Sequence, residues 1–173
     1  MKRVICVFLA FLILAPVYGC QHRNHDENYV FYYPRNDYGY NVQEGKFYEN
    51  IIASEIRDNF LNETVSEIIS VYLNGPISQN CSNPYPENLS LESFSTEDQT
   101  LYITVSDHLS ELTGIRLMIA CACLGKTGME LTNTTSVQIS CRKAMLDGKK
   151  SVTLHYDQII VNDSVPAATY EQE

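Results

Sequence analysis

The sequence predicts one α+β domain, a mainly antiparallel sheet with two helices packed on one face. Three observations predict it. Short β-branched and aromatic runs outnumber stretches with helical spacing. The elements read β-β-α-β-β-α-β-β over residues 29–161, with no internal repeat and no long linker. Removing an N-terminal leader leaves 154 of the 173 residues, and a chain of that size buries roughly 68–70% of its unfolded surface, enough for one good core.

The leader comes first. Lys2 and Arg3 precede an apolar run, Val4 to Val17, interrupted by Pro16. A basic start, a short apolar core and a small residue before the cut form a secretory signal over residues 1–19. The run is shorter than the roughly 20 residues that a membrane-spanning helix needs. Val17-Tyr18-Gly19-Cys20 admits two readings. In one, Gly19 precedes an ordinary signal-peptidase cut. In the other, the string resembles a bacterial lipobox, and Cys20 carries the lipid; a Cys at the lipidated position favours the second. Residues 20–28 form a polar tether and residues 162–173 a flexible tail.

Without Lys2 and Arg3 the formal charge moves from −9 to −11. That balance argues against nucleic acid, whose phosphates call for basic patches. It also argues against docking on anionic lipid through charge, so a membrane location must come from acylation. A single acyl chain holds only marginally, and stable anchoring takes two or more signals. The multiply acylated Cys of bacterial lipoproteins would supply them.

In the domain, Tyr29 to Tyr33 is strand-prone and stops at Pro34. A turn follows, and Val42 to Tyr48 returns as a second strand. Six of the twelve tyrosines lie here. Tyr32, Tyr38 and Tyr40 are the candidate contact surface, because tyrosine offers a large rigid area with a polar tip. Ile56, Phe60, Leu61, Val65, Ile68, Ile69, Tyr72 and Leu73 then follow helical spacing, and Thr64-Val65-Ser66-Glu67 has capping-box form. Asn74-Gly75-Pro76 ends that helix. Residues 77–87 are polar loop. Leu89 to Phe94 and Gln99 to Val105 alternate around Ser95-Thr96-Glu97-Asp98 as a hairpin. Ser106-Asp107 caps a second helix that carries Leu109, Leu112, Leu117, Ile119, Ala120, Cys123 and Leu124, with its uncharged stretch buried on most sides. Ser136 to Ser140, Ser151 to Tyr156 and Gln158 to Val161 have strand character, with a turn at Asp147-Gly148-Lys149-Lys150.

Residues 120–127, ACACLGKT, fit a relaxed phosphate-loop string. A working phosphate loop needs a strand before it and a helix after it whose N-terminus meets the phosphate. Here the apolar helix comes before, and residues 128–133 show no helical periodicity. Gly125 therefore reads as the helix stop, with Lys126 beside the negative end of the helix dipole. Ser106-Asp107-His108 are neighbours in sequence, which does not make a nucleophile and base; a helix cap is the expected role. The carboxylates are scattered, with no pair in an apolar setting. No catalytic residue, no metal site and no cofactor is expected.

Four cysteines follow Cys20: Cys81, Cys121, Cys123 and Cys141. Outside the cytoplasm they allow three disulfide connectivities; four packed thiols is the other reading. Cys121 and Cys123 point to nearly opposite sides of a helix, so at most one of them pairs easily with Cys141. Asn-x-Ser/Thr strings stand at Asn62, Asn80, Asn88, Asn133 and Asn162. They would be glycan acceptors in a eukaryotic secreted protein and neutral in a bacterium.

The piece from Val65 to Pro76, with Leu73-Asn74-Gly75-Pro76 at its end, resembles the first helix of the GerMN domain of bacterial envelope lipoproteins. The hairpin at 89–106, the helix at 116–124, Val137-Gln138-Ile139 and Asp147-Gly148-Lys149 fall in the order that the resemblance implies, over about residues 28–150. The connection from Lys126 to Thr135 and the segment after Lys150 depart from it. The resemblance implies a ring-building-motif-like sheet with two helices on one face and no catalytic residues. It also implies a binding or structural role in sporulation, germination or cell-wall assembly. The expected partners are the membrane, through lipid on Cys20, and envelope proteins or cell-wall glycan, at the extracytoplasmic face of the cell membrane. An extracellular hydrolase and a secreted disulfide-stabilised glycoprotein are the alternatives.

Overall fold

The computed structural model describes residues 28–36, 39–41, 46–48, 51–58, 60 and 62–159. The leader, Cys20 and its tether to residue 27, Tyr38 and the tail from residue 160 lie outside the described residues. In chain order the elements are β1 (Tyr29–Pro34), β2 (Gly39–Asn41), β3 (Lys46–Tyr48), β4 (Ile52–Arg57), α1 (Val65–Tyr72), β5 (Leu91–Glu97), β6 (Thr100–Val105), α2 (Gly114–Thr132), β7 (Ser136–Cys141) and β8 (Ser151–His155). Short 3-10 turns occupy Asp107–Glu111 and Tyr156–Gln158.

β1 pairs with β4 and β2 with β3, both antiparallel. The main sheet has the order β5-β6-β7-β8. Its pairs are antiparallel except β6–β7, which run parallel because α2 carries the chain back between them. Leu101, Ile103 and Val105 of β6, Val137, Ile139 and Cys141 of β7, and Leu154 of β8 are buried on one face. The helices cover that face. A Cβ on Gly125 would meet Val137 Cγ1 at 2.8 Å, and one on Gly128 would meet Leu101 Cδ2 at 2.6 Å, with Ile69 of α1 at 4.0 Å from the same point. Only glycine lets the helix lie this close to the sheet. The opposite face carries two cross-strand rows, Ser93-Thr104-Ser140-Ser151 and Ser95-Tyr102-Gln138-Thr153. Thr104 and Ser140 share a hydrogen bond there at 3.2 Å.

The expected α+β class with two helices on one sheet face stands, and so do the capping box, the Gly-Pro stop and the hairpin, whose first strand begins at Leu91 rather than Leu89. Thr64 Oγ1 accepts the Glu67 N–H while the Glu67 carboxylate accepts the Thr64 N–H. Several boundaries differ. Ile56 does not open a helix; it sits on β4, 66% exposed, opposite Val30. β1 needs a hydrogen-bonding neighbour for its backbone, and the β4 segment supplies it in preference to a longer helix. The hairpin turn tightens to Asp98-Gln99, both with positive φ. The second helix starts at Gly114 rather than near Asp107, and it runs through Gly125 to Thr132. Its stop is Asn133, at φ 53 in the left-handed region. Residues 156–158 form a turn, and Ile159 lies in the core beside Gly125; of the strand expected over 158–161, residues 160 and 161 lie outside the described residues. Asn62 and Asn88 also have positive φ, so three of the five Asn-x-Ser/Thr strings put asparagine where the backbone turns. Among the described residues, no helix is long and apolar enough to cross a membrane.

Candidate binding groove

The Leu73-x-Gly75-Pro76 stop of α1 builds more than a helix end. Gly75 has φ +103, and a Cβ there would come within 2.9 Å of the Asn83 side-chain nitrogen. Glycine thus turns the chain and leaves room for Asn83. Arg57 of β4 donates to the Gly75 carbonyl at 2.7 Å while its guanidinium lies over the Phe31 ring. Glu55 accepts the Ile77 and Ser78 N–H groups at 3.0 and 2.8 Å and an Arg57 N–H. Burial alone would raise the Glu55 pKa, but the Ser78 N–H, Arg57 and the Ile77 N–H outweigh it, and the net shift is down.

The loop then folds back on the end of β1. Ser82 N–H donates to the Pro34 carbonyl, and Asn36 donates to the Cys81 carbonyl. Asn83 Oδ1 caps the Tyr85 N–H at 3.1 Å. The Tyr85 hydroxyl donates to the Tyr72 hydroxyl at 2.5 Å and lies 3.4 Å from the Ala120 carbonyl of α2. The Tyr72 hydroxyl in turn donates to the Tyr32 carbonyl. Burial pushes both phenols well above their usual range, so they act as neutral hydrogen-bonding anchors.

These anchors set one wall of a groove of about 520 Å³, with Pro34, Asn83, Pro84, Tyr85 and Pro86 on that side. Glu111 and Leu112 also line it, as do Arg116 and Ile119 of α2. On the same stretch of α2, Ile115 and Met118 are 70% and 44% exposed. Ile115, Met118 and Ile119 are spaced i, i+3 and i+4, so they share one helix face. The arrangement offers apolar area with a few polar contacts at its margin, the form of a recognition site. Glu111, its one carboxylate, contacts His108 at 2.9 Å.

Tyr32 and Lys126 serve the fold. Tyr32, expected on a contact surface, is 6% exposed. Its hydroxyl donates to Glu130 at 3.3 Å and its N–H donates to Thr127 Oγ1 at 3.0 Å. Its ring is used inside, because β1 packs directly on α2. Tyr40 is described in backbone only, opposite Phe47. Leu73 and Gly75 are buried and Pro76 half-buried. Lys126 does not flank a helix end. It lies within α2, 6% exposed, with its ammonium 3.2 Å from the centre of the Tyr156 ring. Glu130 accepts the Tyr156 hydroxyl, and that bond first, then burial, moves the Tyr156 pKa up to about 12. ACACLGKT is therefore helix interior, with no helix N-terminus for a phosphate. Ser106, Asp107 and His108 have separate partners: the Ser90 N–H, the Lys143 and Ala144 N–H groups, and Glu111. Cys81, Cys121, Cys123 and Cys141 are all buried. Among the described residues, no group of three or more His, Cys, Asp or Glu could hold a metal.

No family model matches the chain, and no curated protein matches it. Two solved structures are similar. One comprises the tandem GerMN domains of the sporulation protein GerM from Bacillus subtilis, at TM-score 0.48 and 13% identity, over 77% of this chain and 46% of that one. The other is a candidate lipoprotein from Clostridium perfringens, at TM-score 0.42 and 17% identity, over 77% of this chain and 89% of that one. The chain thus spans less than half of the GerM structure, which carries the domain that residues 65–76 resemble. Both TM-scores are below 0.5, so neither likeness carries an assignment of family or activity.

Proposed function

We propose that the chain is an exported envelope lipoprotein, anchored through Cys20, whose domain over residues 29–161 acts by binding a protein partner in the groove along the first half of α2. The carrying observation is the groove itself, to which α2 gives Arg116 and Ile119, on a stretch of helix that also exposes Ile115 and Met118. Apolar area of this kind on an acidic protein favours an apolar segment of another envelope protein over glycan, which is bound through denser polar contacts. The leader pattern at residues 1–20 supports export, and the Gly75-Pro76 stop supports a GerMN-type module of sporulation, germination or cell-wall assembly.

Intact-mass analysis of membrane-extracted protein tests the anchor. The expected chain begins at a diacylglyceryl-modified Cys20; an unmodified Cys20 or a retained leader contradicts it. Crosslinking of wild type and Ile119→Lys in the native membrane tests the groove. The reading expects an adduct that the variant loses, and equal adducts contradict it.

A further inference from the structure

Among the described residues, the helices lie on one face of the main sheet and the other face is open. Tyr102, near its middle, is 36% exposed, and Ser95 and Thr153 are exposed. The two hydroxyl-rich rows are joined there by a third, Glu97-Thr100-Ser136-His155. An antiparallel sheet commonly turns one face to water, and a solvated surface ordinarily mixes charges of both signs. This face does not. Across the three rows only Glu97 and His155 are acidic or basic residues, and both stand in the same end row. The whole chain, by contrast, carries 21 acidic and 12 basic residues. The rows hold no lysine, no arginine and no aliphatic side chain.

The hydroxyls are ordered. Thr100 and Ser136 share a hydrogen bond at 2.8 Å, as Thr104 and Ser140 do at 3.2 Å. These pairs fix the β6 and β7 hydroxyls on either side of the middle row, Ser95-Tyr102-Gln138-Thr153. Among the described residues, no hydrogen bond engages the side chains of that middle row. Gln138 is half-buried, yet no buried polar side-chain atom lacks a partner. Its amide therefore opens to the surface. Its register partner on β6 is Tyr102.

Chemistry narrows the occupant. Nucleic acid and other polyanions find no cluster of cations here. An apolar peptide or acyl chain finds no apolar area. An uncharged polyhydroxylated strand finds hydroxyls that donate and accept, a planar amide and a ring. Sugar rings can lay their C–H faces on tyrosine. An acetamide can pair with the Gln138 amide, each giving an N–H and accepting at its carbonyl. Four strands and three rows span roughly 14 Å each way, room for about three sugars in line. Hydroxyls already held by one another lower the ordering cost of binding.

We propose that this face binds the N-acetylated, uncharged sugar backbone of cell-wall glycan. The proposal goes beyond the groove reading and takes from it only export, which brings the domain to the wall. Protein partner and glycan then occupy separate surfaces, and Thr153 has no protein neighbour.

Full-length protein extracted from the membrane is titrated by calorimetry with the hexamer of N-acetylglucosamine and, in parallel, with its de-N-acetylated form. The acetylated hexamer should bind saturably, and the other at least about tenfold more weakly. Tyr102→Ala and Gln138→Ala should each weaken binding about five- to tenfold. Thr153→Lys, at an exposed position, should weaken it likewise and leave Tm within about 2 °C of wild type. Ile119→Lys should bind the hexamer as wild type does, so the groove reading and this one fail separately. No saturable binding, or equal binding of the two hexamers, overturns the proposal. So does binding that the three face variants leave unchanged or that Ile119→Lys weakens as much as they do.

Discussion

The two halves of α2 are surrounded very differently. From Ala120 to Leu131 almost every side chain is buried, and Gly125 and Gly128 bring the backbone onto the sheet. From Gly114 to Ile119 the same helix leaves Ile115 and Met118 in solvent and gives Arg116 and Ile119 to a groove. One half is spent on the core, the other on a surface. The boundary falls where the Tyr85 hydroxyl, bonded to Tyr72, meets the Ala120 carbonyl and joins the groove loop to the core. The same element thus holds the domain together at one end and presents apolar area at the other.

Substitutions should separate the halves. Leu124→Ala, in the fully buried half, should cost about 3 kcal/mol by urea denaturation, from lost transfer energy and the cavity left behind. Gly128→Ala drives a methyl toward Leu101 and should cost about 2 kcal/mol. Tyr85→Phe, at the boundary, removes the hydroxyl shared with Tyr72 and Ala120 and should cost about 1 kcal/mol. Ile115→Ser and Met118→Ser should each stay within about 0.5 kcal/mol of wild type while weakening partner crosslinking. A large stability loss at Ile115, or none at Leu124, would break the division.

Acid should loosen the groove side before the core side. The folded Glu55 pKa lies below its usual 4.5. Its contribution is therefore present above about pH 4.5 and is lost as pH falls through the lower folded value. Hydrogen exchange at Ile77 and Ser78, whose N–H groups Glu55 accepts, should quicken over that window while exchange at 126–131 stays slow. Glu55→Gln should remove the pH dependence at the loop.

Much of this was legible beforehand, because some signals are local. The Thr64–Glu67 capping box, the Gly75-Pro76 stop and the alternation of 99–105 each depend on a few adjacent residues, and each formed as its chemistry requires. What misled was non-local. Gly125 reads as a helix stop until the sheet is present; then its missing side chain is what admits Val137. Lys126 reads as a solvated flank until Tyr156, thirty residues on, covers its ammonium. Tyr32 reads as surface until β1 lies on α2. The groove drew on Pro34, residues 83–86, Leu112 and Ile119, which only the fold assembles. One clue was present: Ile115 and Met118 extend the apolar face of α2 beyond what the core covers.

The central claim is that the amino-terminal half of α2 is the working surface. A photo-crosslinking residue placed at Ile119, and in a separate protein at Thr153 on the hydroxyl-rich sheet face, compares the two surfaces directly in intact cells. The account predicts a discrete protein adduct from position 119 and none from position 153. Adducts from 153 alone, or equal adducts from both, would contradict it.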